Sequence, residues 1–291
     1  MKRLFTLFFC LIVLLSSAFA QMNWGFRGDI GLEKKIAKGF DAGLEAQYHQ
    51  TDNFQSTDRW SIGASLSKRL YRNEAKTFNV KASVGFKYLK VYNDWNTKYK
   101  GDSTIVFENG LEPTEYINNS YNFNYINTYV DSRQRLTASL QASWELGRLK
   151  VSLRETYQFT YTDSVSYTVS KYRFNDGNKD WAEKGYSRVG NSAYYLRNDI
   201  SGKSASKKNV LRSKVTIDYD IPHWKYDPFV SYELFNGIDD AFKAEKSRVT
   251  AGVEFSFKKK HNFELAYMWQ NQHDDDEPAG SFICLGYEFS F

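Results

Sequence analysis

The chain has 291 residues, of which 42% are hydrophobic and 25% are charged, and its formal net charge is +5. A mean hydropathy of −0.59 excludes a helical membrane protein, because such proteins need several apolar runs of about 20 residues. Aromatic residues make up 17% of the chain, which excludes a disordered protein. Many aromatic and charged residues with only 4 Pro favour a β protein whose two faces differ.

The first 20 residues have the pattern of a secretory signal peptide. Lys2 and Arg3 give the start a positive charge, and an apolar run then continues to Leu15. Ala18 and Ala20 are the small residues that a signal peptidase recognises. The apolar run is shorter than the ~20 residues that a membrane-spanning helix needs. We therefore predict a cleaved signal peptide over residues 1–20.

Removal of the signal peptide leaves 37 Lys and Arg residues against 34 Asp and Glu residues, a net charge of +3. This charge is too small to indicate a nucleic-acid partner, and export also argues against one. Cys284 is then the single remaining cysteine, so no internal disulfide is expected.

The rest of the chain contains segments in which apolar and polar residues alternate with a period of two, which is typical of β-strands with one apolar face. In chain order, the clearest are residues 40–48, 60–70, 78–88, 136–146, 215–221, 249–257, 263–269 and 283–291.

Two architectures produce such alternation: a soluble sandwich with the apolar face inward, and a membrane barrel with the apolar face toward lipid. The longest of these segments have eleven residues, whereas strands of soluble proteins usually have about 5–6. The chain also ends in an aromatic pattern at Tyr287, Phe289 and Phe291, which resembles the insertion signal of bacterial outer-membrane proteins. We therefore predict an all-β, transmembrane, antiparallel up-and-down β-barrel over residues 21–291, located in the bacterial outer membrane. Its expected partners are outer-membrane lipid and the outer-membrane insertion machinery.

The connections alternate between short and long, as they do in such barrels, where the short turns are periplasmic. Short turns are predicted near residues 37–39, 72–76, 147–148, 222–225 and 258–260. Outer connections are predicted at residues 50–57, 93–131, 163–207, 236–242 and 273–280, of which 93–131 and 163–207 are the long loops. Eleven strands result, although bacterial single-chain barrels normally have an even number. Either the first segment, residues 22–36, is not a full wall strand, or one strand is missed or split, so we predict 10–12 strands.

Aromatic residues are expected where strands cross the two lipid interfaces. They fall near the outer ends at Trp60, Tyr88, Tyr92, Tyr157, Tyr161 and Trp269, and near the inner ends at Trp144, Tyr219, Trp224, Phe255 and Phe291. Glu155 is the exception to the apolar face, because it shares the parity of Leu153 and Tyr157 and is predicted to face lipid. A bulge or an additional contact would explain it.

Several motifs resemble a family of uncharacterised bacterial outer-membrane barrels, classed as a domain of unknown function. They are the segments at residues 32–36, 58–60, 151–158, 211–214, 230–236 and 251–254, and the resemblance covers most strands. The family implies the outer-membrane location but supplies no reaction and no catalytic residues. The loops at 93–131 and 163–207 are longer than is usual in it.

Charged residues of both signs have the parity of the barrel interior. The lumen-lining candidates are Arg59, Arg69, Lys81, Lys87, Arg135, Arg154, Arg212, Asp218, Glu233, Arg248, Glu254 and Glu264. One interpretation is a network of ion pairs that fills a narrow barrel, and the other is a polar channel with a selectivity ring. Barrels of about 8 strands are filled by side chains and those of 16–18 are open, so a size of 10–12 favours the filled or narrow lumen.

The sequence predicts no enzyme and no cofactor, because its four His residues form no recognisable nucleophile–base arrangement and no His-x-Ser occurs. A lipid-modifying enzyme of the outer membrane remains an alternative. The acidic residues 274–277 lack the spacing of a calcium loop, which favours a solvated loop tip. A further alternative is binding of a glycan or peptide by tyrosines of the long loops, whose ligand the sequence does not identify: Tyr116, Tyr121, Tyr125, Tyr129, Tyr167, Tyr172, Tyr186, Tyr194 and Tyr195. The same tyrosines could equally fold over the mouth as a lid.

Overall fold

A computed structural model describes residues 23–101, 113–118, 120–177, 179–222, 224–258, 260–272 and 279–291. The predicted signal peptide and the acidic residues 274–277 lie outside this part of the chain. The elements in chain order are β1 (Trp24–Ala37), β2 (Phe40–Thr51), β3 (Ser56–Arg72), β4 (Phe78–Asn93), β5 (Asn96–Tyr99), α1 (Pro113–Asn118), β6 (Phe123–Ile126), β7 (Tyr129–Leu146), β8 (Leu149–Thr162), β9 (Val165–Phe174), β10 (Ser187–Arg188), β11 (Tyr194–Lys203), β12 (Ser206–Tyr219), β13 (Tyr226–Gly237), β14 (Lys243–Phe257), β15 (His261–Gln272) and β16 (Gly280–Ser290).

Eleven of these strands form a closed barrel in the order β1-β16-β15-β14-β13-β12-β8-β7-β4-β3-β2. The order follows the chain around the ring, which confirms the predicted up-and-down barrel of 10–12 strands. We call the end that carries the connections β1–β2, β3–β4, β7–β8, β12–β13 and β14–β15 the short-turn end. The opposite end is the long-connection end.

The ring closes through a parallel pair. Strands β1 and β16 run in the same direction, in register from Trp24 opposite Ser281 to Glu33 opposite Ser290. On its other side β1 pairs antiparallel with β2. A closed ring with an odd number of alternating strands must contain one parallel pair, so the odd count is real and β1 is a full wall strand.

The parallel pair of β1 and β16, which we call the seam, is closely packed. A Cβ atom at Gly25 would lie 2.4 Å from the carbonyl oxygen of Gln50 and 2.6 Å from the Phe282 ring, so glycine is required there. Backbone bonds continue beyond the paired residues, because the Phe291 N–H donates to the Glu33 carbonyl oxygen at 3.0 Å. The seam is therefore hydrogen-bonded along its length.

The two faces of the wall are reversed relative to those of a soluble protein. The outward face carries exposed apolar side chains on all sides of the ring, among them Ile30, Leu44, Ile62, Val84, Leu140, Leu153, Val215, Val230, Val249, Leu265 and Leu285. The inward face carries buried polar side chains, among them Arg27, Arg59, Ser61, Ser143, Ser152, Glu233 and Gln270. Apolar area in water costs about 25 cal/mol per Å², so an apolar band of this kind is suited to lipid.

Aromatic rings contact one another from strand to strand near the short-turn end. The ring centroids of Trp224 and Tyr226 lie 5.8 Å apart, those of Tyr226 and Phe255 5.4 Å, and those of Phe255 and Phe263 6.0 Å. Phe263 in turn contacts Tyr287 at 5.1 Å. Four neighbouring strands thus share one aromatic belt, as expected at a lipid interface.

Glu155 has a partner on the outward face. The Ser213 hydroxyl, on the neighbouring strand β12, donates to Glu155 Oε2 at 2.7 Å. The surrounding outward side chains, Leu153 and Val215, are exposed and apolar. Of the two explanations predicted for Glu155, a bulge or an additional contact, the structure therefore shows the contact, which is made by Ser213.

The chain divides into two compact units. The barrel unit consists of the described residues up to 87 together with residues 135–159 and 208–291. The second unit, residues 88–134 and 160–207, contains a five-stranded sheet of order β10-β11-β9-β6-β5 and helix α1. None of the helices within the described ranges has the length and apolar character needed to cross a membrane.

Candidate functional site

The barrel unit contains a partly open cavity of about 570 Å³, which we call the interior cavity. Its polar lining consists of Asp29, Glu33, Asp41, Glu45, Ser65, Ser67, Lys81, Ser83, Ser139, Gln141, Arg154, Glu254, Ser256, Asn262, Glu264 and Glu288. Ser256 and Asn262 are paired beside the β14–β15 turn, and Asp41 follows the β1–β2 turn. The cavity therefore extends toward the short-turn end.

Carboxylates dominate this lining. Seven Asp and Glu residues line the cavity, whereas Lys81 and Arg154 are the two Lys or Arg residues among the lining residues. The Lys81 ammonium lies 3.8 Å from Glu33 and 3.7 Å from Asp41, so it bridges two of them. Nearby, Lys87 Nζ lies 3.0 Å from Glu45 Oε1 and donates to Gln47 Oε1 at 2.7 Å. The cavity is polar and has an excess of negative charge.

A second cluster, which we call the arginine network, lies nearer the long-connection end. It consists of Arg27, Arg212, Glu233, Arg248 and Gln270. Arg212 donates through Nε and Nη2 to Glu233 Oε1 at 3.0 and 2.7 Å, and Arg248 Nη1 lies 3.7 Å from Glu233 Oε2. Gln270 Oε1 accepts from Arg248 Nε at 2.6 Å and from Arg27 Nη2 at 3.1 Å. The network thus joins β12, β13, β14, β15 and β1.

Two phenylalanines pack into the arginine network. The guanidinium carbons of Arg212 and Arg248 lie 4.8 and 4.7 Å from the centroid of the Phe235 ring. Arg27 lies 4.3 Å from the centroid of Phe282. Gln270 is 0% exposed and Phe282 is 2% exposed. Burial to this degree means that side chains fill this part of the interior.

The twelve lumen-lining candidates are distributed over both clusters and beyond them. Lys81, Arg154, Glu254 and Glu264 line the interior cavity, while Arg212, Glu233 and Arg248 belong to the arginine network. Outside the two clusters, the structure places Arg59 against Asp58 at 2.7 Å, Lys87 against Glu45, Asp218 3.5 Å from Lys150, Arg135 half-buried on β7 and Arg69 exposed on β3.

Sequence reasoning did not single out Gln270, Phe235 or Phe282. All three have inward parity, but the sequence does not distinguish one uncharged inward side chain from another. Their role in packing depends on which side chains of other strands contact them, and the alternation of apolar and polar residues does not show these contacts. Alternation also does not show that the cavity carboxylates of β1 and β2 stand beside Glu264 and Glu288, because this placement depends on the closing pair β1–β16.

The C-terminal aromatic pattern lies in the short-turn belt. The Tyr287 hydroxyl is 3.0 Å from His261 Nδ1, and the Phe289 ring centroid is 5.1 Å from that of His261. Phe291 contacts Phe289 at 5.8 Å, and Lys34 Nζ lies 4.8 Å from the Phe291 centroid. Tyr287 and Phe289 thus lie at the C-terminal end of strand β16, and Phe291 lies directly after it.

In the second unit, most of the loop tyrosines form a core rather than an open surface. Tyr116 and Tyr194 are buried with Phe123, and Tyr121, Tyr125 and Tyr172 pack against them. The Tyr194 hydroxyl donates to the carbonyl oxygens of Tyr116, Tyr121 and Ile117 at 2.9, 3.2 and 3.3 Å. Burial raises the pKa of Tyr194 to about 12.

A charged group lies on the same sheet. Lys171 and Arg197 form ion pairs with Asp199, and their hydrogen bonds hold the pKa of the Asp199 carboxyl below its usual range. The Lys171–Asp199 pair joins strands β9 and β11. In the described residues, no group of three or more His, Cys, Asp and Glu side chains is arranged to hold a metal ion.

Comparisons with known proteins give one family and a set of similar structures. The family model described as "Protein of unknown function (DUF2490)" matches residues 28–279. The translocator domain of the autotransporter NalP from Neisseria meningitidis is similar at 10% identity and a TM-score of 0.40, covering 82% of this chain and 70% of that one. The β domain of the Bordetella autotransporter BrkA is similar at 12% identity and a TM-score of 0.36, covering 93% of this chain and 100% of that one. No curated protein matches the chain.

Proposed function

Since the chain belongs to DUF2490, a family of unknown function, we propose its function from the structure. The protein is an outer-membrane β-barrel without enzymatic activity, and its lumen is narrow, so that it acts as a restricted pore or as a structural barrel. The observation that carries this proposal is the arginine network, in which interior side chains are packed rather than hydrated.

The reversed faces of the wall support the membrane placement. If the protein were soluble, the apolar side chains on the outward face of its wall strands would be exposed to water. Such surfaces aggregate. In a bilayer the same side chains meet acyl chains, and the aromatic belt lies at the interface. The signal peptide pattern and the aromatic C-terminal residues Tyr287, Phe289 and Phe291 support insertion into the bacterial outer membrane by its insertion machinery.

The narrow lumen follows from the barrel size and from the network. An eleven-stranded ring lies between barrels of about 8 strands, which side chains fill, and those of 16–18 strands, which hold open water. Five strands contribute to the arginine network, and Phe235 and Phe282 occupy the space between its cations. A solute passing along the barrel would have to displace these side chains.

Single-channel recording in planar bilayers tests the proposal. The purified protein is expected to conduct no more than roughly one tenth of the current of a 16-stranded porin measured in the same cell, because its lumen is both smaller and occupied. The double variant Phe235→Ala/Phe282→Ala should conduct more than the unmodified protein. Leu265→Ala, on the outward face, should not change the conductance. Porin-sized conductance of the unmodified barrel, or hydrolysis of outer-membrane lipid by it, would contradict the proposal.

A further inference from the structure

We propose that the interior cavity is a binding site for a small solute with amino or guanidino groups and one carboxylate, that is, a basic amino acid. The inference rests on the proposed outer-membrane barrel and adds a ligand class to its interior. Its basis is the separation of charge across the cavity.

All seven carboxylates of the cavity lie on five neighbouring strands. Glu254 is on β14, Glu264 on β15 and Glu288 on β16, and the remaining four are on β1 and β2. These strands are contiguous in the ring order β14-β15-β16-β1-β2. One side of the cavity wall is therefore acidic.

Arg154 lies on the opposite side. It belongs to β8, which is separated from β1 by the five strands β16 to β12 in one direction and by β2, β3, β4 and β7 in the other. In a ring of eleven strands this is the diametrically opposed position. Arg154 lines the cavity. The Glu233 carboxylate attracts its charge, but within the described part of the chain Arg154 forms no hydrogen bond and no ion pair within 4 Å. Its N–H donors are therefore available to a ligand anion.

Lys81, the other basic lining residue, is placed differently. It lies within 4 Å of Glu33 and Asp41, so it neutralises part of the acidic wall instead of extending the basic side. In the described structure the carboxylates Asp29, Glu254, Glu264 and Glu288 form no ion pair within 4 Å, although Lys87 attracts Asp29 and Lys214 attracts Glu254 and Glu264. These carboxylates supply acceptors for more than one ammonium or guanidinium donor.

The ligand class follows from these two sides. An anion would be repelled by the acidic wall, and a simple cation would leave the N–H donors of Arg154 without a hydrogen-bond acceptor. A molecule with a carboxylate at one end and cationic groups at the other satisfies both sides, with a guanidinium–carboxylate contact at Arg154. The volume of 570 Å³ is within the range of small-ligand sites. Serine, asparagine and glutamine side chains in the lining supply further hydrogen bonds.

Calorimetric titration of the detergent-solubilised full chain with L-arginine tests the inference. Agmatine, which is the same molecule without its carboxylate, is the second probe, and L-glutamate is the third. We expect L-arginine to bind more tightly than agmatine and L-glutamate not to bind. Arg154→Gln should weaken L-arginine at least tenfold, the order expected for one charge-assisted contact, and should leave agmatine unchanged.

Two further variants separate the two sides of the site. Glu264→Gln should weaken both L-arginine and agmatine, because it acts on the cationic end that both share. Arg69→Gln, at an exposed arginine of β3 outside the cavity lining, should change neither. Absence of L-arginine binding, or equal effects of Arg154→Gln on both probes, would overturn the inference. The conductance measurement is independent: a low conductance without L-arginine binding refutes only the ligand, whereas a porin-sized conductance refutes the narrow lumen.

Discussion

The parallel seam between β1 and β16 makes a sharp prediction, because the native Cys284 lies in it. Arg27 is the residue in register with Cys284, and both side chains are buried on the inward face. Neighbouring strands lie about 4.8 Å apart, a spacing compatible with disulfide geometry. The single substitution Arg27→Cys should therefore create a disulfide that locks the barrel closed.

The expected stabilisation can be worked from the chain. Residues 27 and 284 are 257 positions apart. Loop entropy for a closure of that length amounts to about 5.6 kcal/mol, and disulfides in proteins deliver up to about 5 kcal/mol. Loss of the Arg27 hydrogen bond to Gln270 and of its contact with Phe282 removes about 1–3 kcal/mol. The oxidised variant should thus be more stable than its reduced form by up to about 5 kcal/mol, and more stable than the unmodified protein by about 2–4 kcal/mol.

The assay compares mobility on denaturing gels and urea unfolding in detergent, each with and without reductant. Oxidised Arg27→Cys should migrate faster than its reduced form after heating and should unfold at higher urea. Arg27→Cys/Cys284→Ala lacks the second thiol and should show no effect of reductant. Asp29→Cys places its thiol opposite Gly286, two residues from Cys284, and should cross-link poorly.

The result that would refute the reasoning is a free thiol at both positions of folded Arg27→Cys under oxidising conditions. That outcome would mean that β1 does not pair in this register, and the eleven-stranded closure would be wrong. Efficient cross-linking of Asp29→Cys instead would indicate a shifted register.

Three further predictions concern hydrogen-bonded polar side chains. Glu233→Gln should lower the urea midpoint in detergent by the equivalent of about 3–5 kcal/mol, because it leaves the cations of the arginine network uncompensated; an unchanged midpoint would contradict the network. Ser213→Ala should cost about 1 kcal/mol in lipid by removing the hydrogen bond to Glu155, whereas Glu155→Leu/Ser213→Ala should recover or exceed the original stability. Tyr194→Phe should destabilise the second unit by about 1–3 kcal/mol, seen as faster amide exchange in β6. Because the pKa of Tyr194 rises to about 12 in the fold and is about 10 when unfolded, its contribution should be complete below pH 10 and lost toward pH 12, and the Phe variant should lack this dependence.

Much of the barrel was predictable because the alternation of apolar and polar residues with a period of two shows where the strands are and which face of each is apolar. Strict alternation at Leu44, Ala46 and Tyr48, repeated in the other segments, specifies which face of each strand is apolar. The aromatic C-terminal pattern and the unequal connections then distinguish a membrane barrel from a sandwich. The turns gave a count of eleven, but an odd number is unusual for bacterial barrels, so the prediction was 10–12 strands. The structure has eleven in the ring.

The direction of ring closure could not be predicted in the same way. Alternation is identical in parallel and antiparallel strands, so residues 24–33 give no indication of the partner that they pair with. The structure of the long loops was also hidden, because their tyrosines suit either an exposed surface or a core. Tyr116 and Tyr194 are core residues through contacts between segments that are 78 positions apart.

The closing pair also decides what the interior can do. Because β1 joins β16, the carboxylates Asp29 and Glu33 stand beside Glu264 and Glu288 instead of on a separate edge. The same closure brings Arg27 to Gln270 and completes the arginine network. The closing pair therefore contributes to both the packed long-connection end and the acidic wall toward the short-turn end. A barrel that closed without β1 would lose Arg27 from the arginine network and Asp29 and Glu33 from the cavity wall.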